Sequence, residues 1–312
     1  MAAGVVLAVG FGAVELRRRF PLLDVRLFGR ADFTTGAVGV TTFFLANFGF
    51  FFIAMQYVQL LLGYSALTTA FALTPLIIPV LLLSVAAPWL LPRLGLRVSV
   101  AAGLGLIAAG LFHARTLEID SAYPDLAVPL LIMATGIGLC TAPTTSAIMG
   151  AVPDEKQGVA SAVNDTTREV GAALGIALAG SVLAAEYGRR LRPQLEALPE
   201  PVRAAASNSL AEALEVARRL GPQGPAVAES AQRAFLESMR VSLAVLAAVC
   251  AAAAAFVAVW APGRDGRQFR CLQRRFGSGS GDELGGPVGG RHDGGVRAAA
   301  GQGGKNRAVD DP

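Results

Sequence analysis

The sequence predicts an all-α, polytopic membrane protein, and three observations carry that reading. Of its 312 residues 53% are hydrophobic and only 16% charged, against roughly 25% charged in an ordinary soluble domain. Its apolar runs last about 20 residues or more, the length that crosses a ~30 Å hydrocarbon slab as a helix, whereas a soluble core is interrupted by turns sooner. The arginines collect beside those runs and form no basic stripe interleaved with aromatics, so the net charge of +4 reads as membrane topology and not as nucleic-acid binding.

Taken in order, residues 1–32 open with an apolar stretch, Met1 to Val14, whose arginines (Arg17, Arg18, Arg19) follow it. A secretory signal has its charges first. The stretch therefore reads as the second part of a spanning helix leading into an arginine-rich cytoplasmic linker. Further apolar segments run from Phe33 to Leu62, Leu67 to Leu91, Val98 to Leu111, Leu126 to Met149, Gly158 to Ala185 and Val241 to Trp260. That makes about six spans, the Val98 segment reaching full length only if it continues through His113 to Thr116. Residues 33–185 and 241–262 thus form the transmembrane bundle. Residues 186–240 are polar and alanine-rich, with Leu191, Leu195, Leu198, Leu210, Leu214 and Val216 in partly helical spacing and breaks at Pro201 and Gly221 to Pro225. An extracytoplasmic helical insertion and a flexible loop fit this composition equally. Residues 263–312 turn to Gly, Arg and Asp with almost nothing to bury, which predicts a disordered cytoplasmic tail.

Orientation follows from the excess of Lys and Arg in short cytoplasmic loops. Arg17 to Arg30, the pair Arg93 and Arg97, and the cluster Arg264, Arg267, Arg270, Arg274 and Arg275 are separated by even numbers of spans, so they share the cytoplasmic side. The intervening loops are neutral (Gly63 to Ser65) or net acidic (Glu118, Asp120 and Asp125 against Arg115). This topology puts Met1 outside, which requires an odd number of preceding spans if the full protein begins inside.

Several short motifs together resemble a family. Pro21-Leu22-Leu23-Asp24-Val25-Arg26-Leu27-Phe28 precedes one span and Gln59-Leu60-Leu61-Leu62-Gly63-Tyr64-Ser65 the next. Gly158-Val159-Ala160-Ser161-Ala162 is followed by Arg168-Glu169-Val170-Gly171-Ala172-Ala173-Leu174-Gly175. In order and spacing these resemble the C-terminal half of drug:proton antiporters of the 14-span type in the major facilitator superfamily, over roughly Val14 to Ala261. Pro92-Arg93-Leu94-Gly95-Leu96-Arg97 is similar to the weaker second copy of that superfamily's inter-helix arginine/glycine motif. Ala66 and Ala70 stand where the family usually has a proline and a glycine, and Glu169 where an amide is more usual. The resemblance implies a six-helix C-terminal bundle of a major-facilitator-type carrier plus one partial preceding span, with the N-terminal six-helix half missing. In such carriers the arginine/glycine loops pair charges across helices to lock a conformation.

The residues that carry chemistry sit inside the apolar segments. Arg168 lies roughly 15 Å past Gly158 at 1.5 Å per residue, near the bilayer centre, where charges are costly and mark function. Asp165 is three residues before Arg168 and four before Glu169, so all three share a face with Asn164 beside them. Arg168 there neutralises one acid and leaves the other free to exchange a proton. The alternative is an interfacial cap, which needs the membrane to begin near Val170 and leaves only about 24 Å of helix to Ala185, short for a span. Asn47, Gln56 and Gln59 interrupt a run of aromatics (Phe43, Phe44, Phe48, Phe50, Phe51, Phe52, Tyr57), a wall suited to apolar or cationic ligands; Asn47 is the lining candidate and Gln59 a structural one. Most of these rings read instead as lipid-facing, with the amides tying helices together. Pro75, Pro79 and Pro143, the last among Thr141, Thr144 and Thr145, free carbonyls and permit bends. Gly171 with Gly175, and Gly105 with Ala109, permit close helix approach. His113 reads as interfacial, and Arg93, Gly95 and Arg97 as a tight cytoplasmic turn between anchors.

Cys140 and Cys250 lie in apolar segments and Cys271 in the polar tail, without a CxxC pair, so neither a disulfide framework nor a zinc site follows. No nucleotide-binding glycine loop, nucleophile elbow or metal-ligand spacing occurs, which argues against an enzyme and predicts no cofactor. The expected function is membrane transport, as proton-coupled efflux of drugs or amphiphilic metabolites by an N-terminally truncated carrier of the bacterial inner or plasma membrane. Its partners are the lipid bilayer, protons, a small amphiphilic or cationic substrate and the missing half, with no nucleic acid. The alternative is a non-transporting membrane fragment or accessory subunit.

Overall fold

The computed structural model describes Gly10, residues 25–196 and residues 199–262. Apart from Gly10, the partial span from Met1 to Val14 lies outside them, as do the Arg17 to Arg19 cluster and the tail from 263 onward. Among the described residues every regular element is helical.

The first helix, α1 (Ala31–Gln56), contains no proline and continues into a π-helical turn, Tyr57–Leu61, that ends before Gly63. Ser65 then caps α2 (Ala66–Leu73), its hydroxyl accepting from the Thr68 amide at 3.1 Å, which satisfies one of the free N–H groups of a first turn. Pro75 interrupts the ladder, and a 3₁₀ turn, Thr74–Leu76, separates α2 from α3 (Ile77–His113). Pro79 falls in the first turn of α3, where its missing N–H leaves no gap. At Gly95 the backbone of α3 leaves the helical region, with φ 76° and ψ 167°, a conformation a residue with a Cβ resists. The two arms of α3, 77–94 and 96–113, pack on α4 (Tyr123–Met149) in opposite senses. Pro79 and Leu83 meet Gly138, while Gly103 meets Gly136 and Cys140 and Gly110 meets Met133. The arms therefore run antiparallel, and the two spans expected from Leu67 and Val98 are one folded stretch. Among the described residues five stretches are long and apolar enough to cross a membrane: Ala31–Leu61, Ala66–Thr116, Tyr123–Met149, Gln157–Leu195 and Gly221–Trp260. Divided at Gly95, they match the six segments of the sequence. The chain is a multi-pass membrane protein.

Two very long helices complete the bundle. Helix α5 (Gln157–Leu191) runs beyond Ala185, and α8 (Gly224–Trp260) begins well before Val241. Residues 186–240 are accordingly the projecting ends of α5 and α8 with two short helices, α6 (Glu200–Asn208) and α7 (Leu210–Arg219), between them. Leu191, Leu195, Leu210 and Ala213 are buried there, and the Tyr187 hydroxyl donates to the Ala206 carbonyl at 3.2 Å.

Small residues set the seams. A Cβ on Gly171 would collide with the Thr41 carbonyl and lie 3.1 Å from Phe44 Cβ, and one on Gly175 would collide with the Leu45 carbonyl. Thus α5 lies backbone against backbone on α1. In the α3–α4 seam a Cβ on Gly136 would stand 2.5 Å from the Gly103 carbonyl. The expectation for Gly105 is corrected: nothing lies within 4 Å of a Cβ there. Gly103 and Gly110 make that approach instead, because Gly105 is turned about 200° around the helix from Gly103.

Candidate functional site

Phe44, Asn47, Phe48, Phe51 and Met55 recur along one face of α1 at helical spacing. Phe44 and Phe48 stack with centroids 6.0 Å apart, and Phe48 and Met55 are exposed. Across from this face stand α2 and the start of α3, whose outward side chains include Phe71, Leu82 and Trp89, the last 69% exposed. Between them runs a groove of about 510 Å³ lined by Asn47, Phe51, Met55, Thr74, Ile77 and Ile137 among others. The break at Pro75 shapes one wall. Asn47 Oδ1 is shielded from solvent and has no hydrogen-bond partner.

On α5, Asn164 is buried and its Oδ1 is likewise unpartnered, while Thr167 donates its hydroxyl to the Asn164 carbonyl at 2.8 Å. Arg168 is half-buried with its guanidinium 5.5 Å from the centroid of the Phe44 ring, and its Nε is shielded without a partner. Asp165 and Glu169 are exposed. The structure differs here from the expectation that Arg168 neutralises one of these acids. Among the described residues no ion pair joins them. The reason is angular: the face of α5 holding Asn164, Arg168, Gly171 and Gly175 is the one pressed on α1, and Asp165 and Glu169 project from its open flank.

The remaining conformational candidates divide. Pro75 and Gly95 each mark a real break, whereas α4 continues through Pro143, with the Thr144 hydroxyl donating to the Cys140 carbonyl at 2.8 Å. Arg93 is exposed. Arg97 donates from Nε to the Ala261 carbonyl at 2.6 Å and from Nη2 to the same oxygen, and Arg30 reaches the Ala151 carbonyl at 2.6 Å. Both arginines thus cap the C-terminal end of another helix, where cations are favoured. Charge counting reads them only as topological anchors. At the same end a second cavity of about 410 Å³ is lined by Asp32, Pro92, Gly95, Pro143, Ser146 and Gly150. Sequence reasoning did not single out Asp32. His113 is exposed at its helix end.

These elements make a polytopic helical bundle with glycine seams, internal breaks and an open, partly polar face, a multi-pass membrane fold. Residues 6–176 match the Major Facilitator Superfamily, and the chain belongs to that superfamily. It is 31% identical over 256 residues to the multidrug resistance protein Stp of Mycobacterium tuberculosis, covering 79% of this chain and 47% of Stp. It is 28% identical over 244 residues to the methyl viologen resistance protein SmvA of Salmonella typhimurium (78% and 49%), and 27% over 264 residues to the multidrug efflux pump LfrA of Mycolicibacterium smegmatis (83% and 52%). The chain spans about half the length of these curated relatives.

Proposed function

We propose that this chain is the C-terminal half of a proton-coupled exporter of the 14-span type, which moves amphiphilic or cationic small molecules out of a bacterial cell. The observation that carries the reading is the α5 cluster. Asp165 and Glu169 stand on an open flank of a spanning helix, roughly 12 Å and 18 Å from Gln157 along its axis, beside an arginine committed to an aromatic ring and not to either of them. Carboxylates at that depth are available to a proton or to a substrate cation, and competition between the two is what antiport requires. The names of the relatives, two of them multidrug and one methyl viologen resistance, support the substrate class.

In this reading α1 and α5 form one wall of a midplane cavity whose other wall belongs to an N-terminal half, and the helices rock around it. Asn164 and Asn47 supply uncharged polar contacts. The turn at Pro75 and the break at Gly95 let α2 and α3 adjust while the glycine seams move as a block. Arg93 and Arg97 hold the cytoplasmic end.

The test is made in a complete transporter carrying this half. Asp165→Asn, Glu169→Gln and the double variant keep size and hydrogen bonding but cannot titrate. The reading expects substrate-induced proton release and drug resistance to fail in at least one of them at unchanged expression. Normal proton release and resistance in the double variant would make the cluster an interfacial cap and leave the accessory-subunit reading standing.

A further inference from the structure

Resting on the reading of Asp165 as a proton carrier, we infer that Arg168 is a switched counter-charge: an aromatic cation that takes the Phe44 ring releases Arg168 to Asp165, and Asp165 gives up its proton. An ion pair is missing here that the rest of the chain makes. On the same helix Arg189 pairs with Glu186 at 2.5 Å and Arg190 with the same acid at 3.4 Å. In α6, α7 and α8 every arginine among the described residues with a glutamate three or four positions before it does likewise. Asp165 stands three residues before Arg168, within pairing reach, yet the guanidinium lies over the Phe44 ring, 5.5 Å from its centroid, with its Nε unpartnered. Glu169 is adjacent in sequence and projects about 100° away around the helix, so Asp165 is the acid Arg168 can reach.

The ring and the acid hold an arginine with similar, small strength, so a ligand that favours one arrangement shifts the balance. Phe44 is partly exposed and stacks on the exposed Phe48 with centroids 6.0 Å apart. The two rings make a platform for a planar ligand. A cation seated there takes the ring face from Arg168 and repels its charge. The arm swings to Asp165: the carboxyl O–H bond breaks, the proton passes to water, and guanidinium N–H groups donate to the carboxylate. The ligand needs charge and a flat face but no N–H donor, so quaternary and protonated aromatic cations act alike. No other charge on the neighbouring helices competes. Of the elements packed on this part of α5, α1 carries only Asp32, which lines the cavity at the arginine end, α4 carries no charged side chain after Asp125 and α8 none after Arg240. The charged turn before α5 lies roughly 13 Å from Asp165 along the axis.

The probes are N-methylacridinium, a planar quaternary cation, and its uncharged parent acridine, titrated at neutral pH into the purified 312-residue chain in lipid nanodiscs. Binding is read by fluorescence and proton release by an indicator dye in weak buffer. The wild-type chain should release up to about one proton per N-methylacridinium bound and none with acridine, and because binding expels a proton its affinity should rise with pH. Arg168→Gln leaves the ring vacant and has no charge to move. It should bind N-methylacridinium roughly 2- to 5-fold more tightly, the worth of an exposed cation–π contact, and release no proton. Arg168→Lys, whose ammonium reaches both ring and acid, should restore release and thereby show that the loss in Arg168→Gln is not misfolding. Asp165→Asn should release none. Release that persists in Arg168→Gln or in Asp165→Asn, or a wild-type chain that releases no proton, would overturn the inference. Release persisting in Arg168→Gln alone would leave the proton-carrier reading standing, with the ligand displacing the proton directly, whereas that reading fails on the double variant of the complete transporter.

Discussion

The phenol of Tyr57 donates a 2.6 Å hydrogen bond to the backbone carbonyl of Glu118, and the carboxylate of the same glutamate pairs with Arg240. One short loop is thereby tied to the π-helical end of α1 on one side and to α8 on the other. The two ties differ in weight. Tyr57 is fully buried, whereas Glu118 is 59% exposed at its side chain, where ion pairs contribute little. Tyr57→Phe should therefore cost about 1 kcal/mol, and Glu118→Gln should cost less. Thermal unfolding of both variants in one detergent checks the order; a larger loss for Glu118→Gln would reverse it.

The α1–α5 seam gives a paired prediction. Gly175→Ala places a Cβ against the Leu45 carbonyl, with backbone on both sides and no flexible side chain to yield, so it should destabilise by about 1–3 kcal/mol. Gly105→Ala meets open space and should be neutral or stabilising by up to ~1 kcal/mol through helix propensity. Unfolding midpoints of the two variants decide it, and equal effects would mean the seam is not packed as described.

At the arginine end, Arg97 holds the last turn of α8 through two N–H groups on the Ala261 carbonyl. Replacing it with Ala should lower local stability by about 1.5–3 kcal/mol, the range for bonds to charged groups. Amide exchange over residues 255–261 should quicken while the α3–α4 seam keeps its protection. Uniform loss of protection across the bundle would instead mean that Arg97 supports global folding.

Topology is testable without purification. Reporter fusions at Glu118 and near Ala205 should read outside, and fusions at Arg93 and after Gly263 inside, as the arginine distribution requires. A reversal at any one site would break the helix order deduced above.

The sequence by itself determined what hydropathy and charge can encode along a line: the membrane class, six apolar segments, the turn at Gly95, the arginine-bearing end, and the apolar segments in which Asn47, Asp165, Arg168 and Glu169 fall, whereas Pro75, Pro79 and Pro143 read alike as bends and only Pro75 interrupts a helix. It did not determine which way those side chains face. In a spanning helix the lipid-facing and core-facing sides are both apolar, so periodicity does not say which side packs. Hence Gly105 read as well as Gly103 for a seam that only Gly103 and Gly110 make, and Arg168 read as the partner of a neighbouring acid when α1 supplies Phe44 instead. The Arg97 bond to Ala261 joins residues 164 apart, and no local signal points to it. Tertiary structure decided these because helix rotation is fixed by which backbones approach closely, and that depends on every neighbour at once.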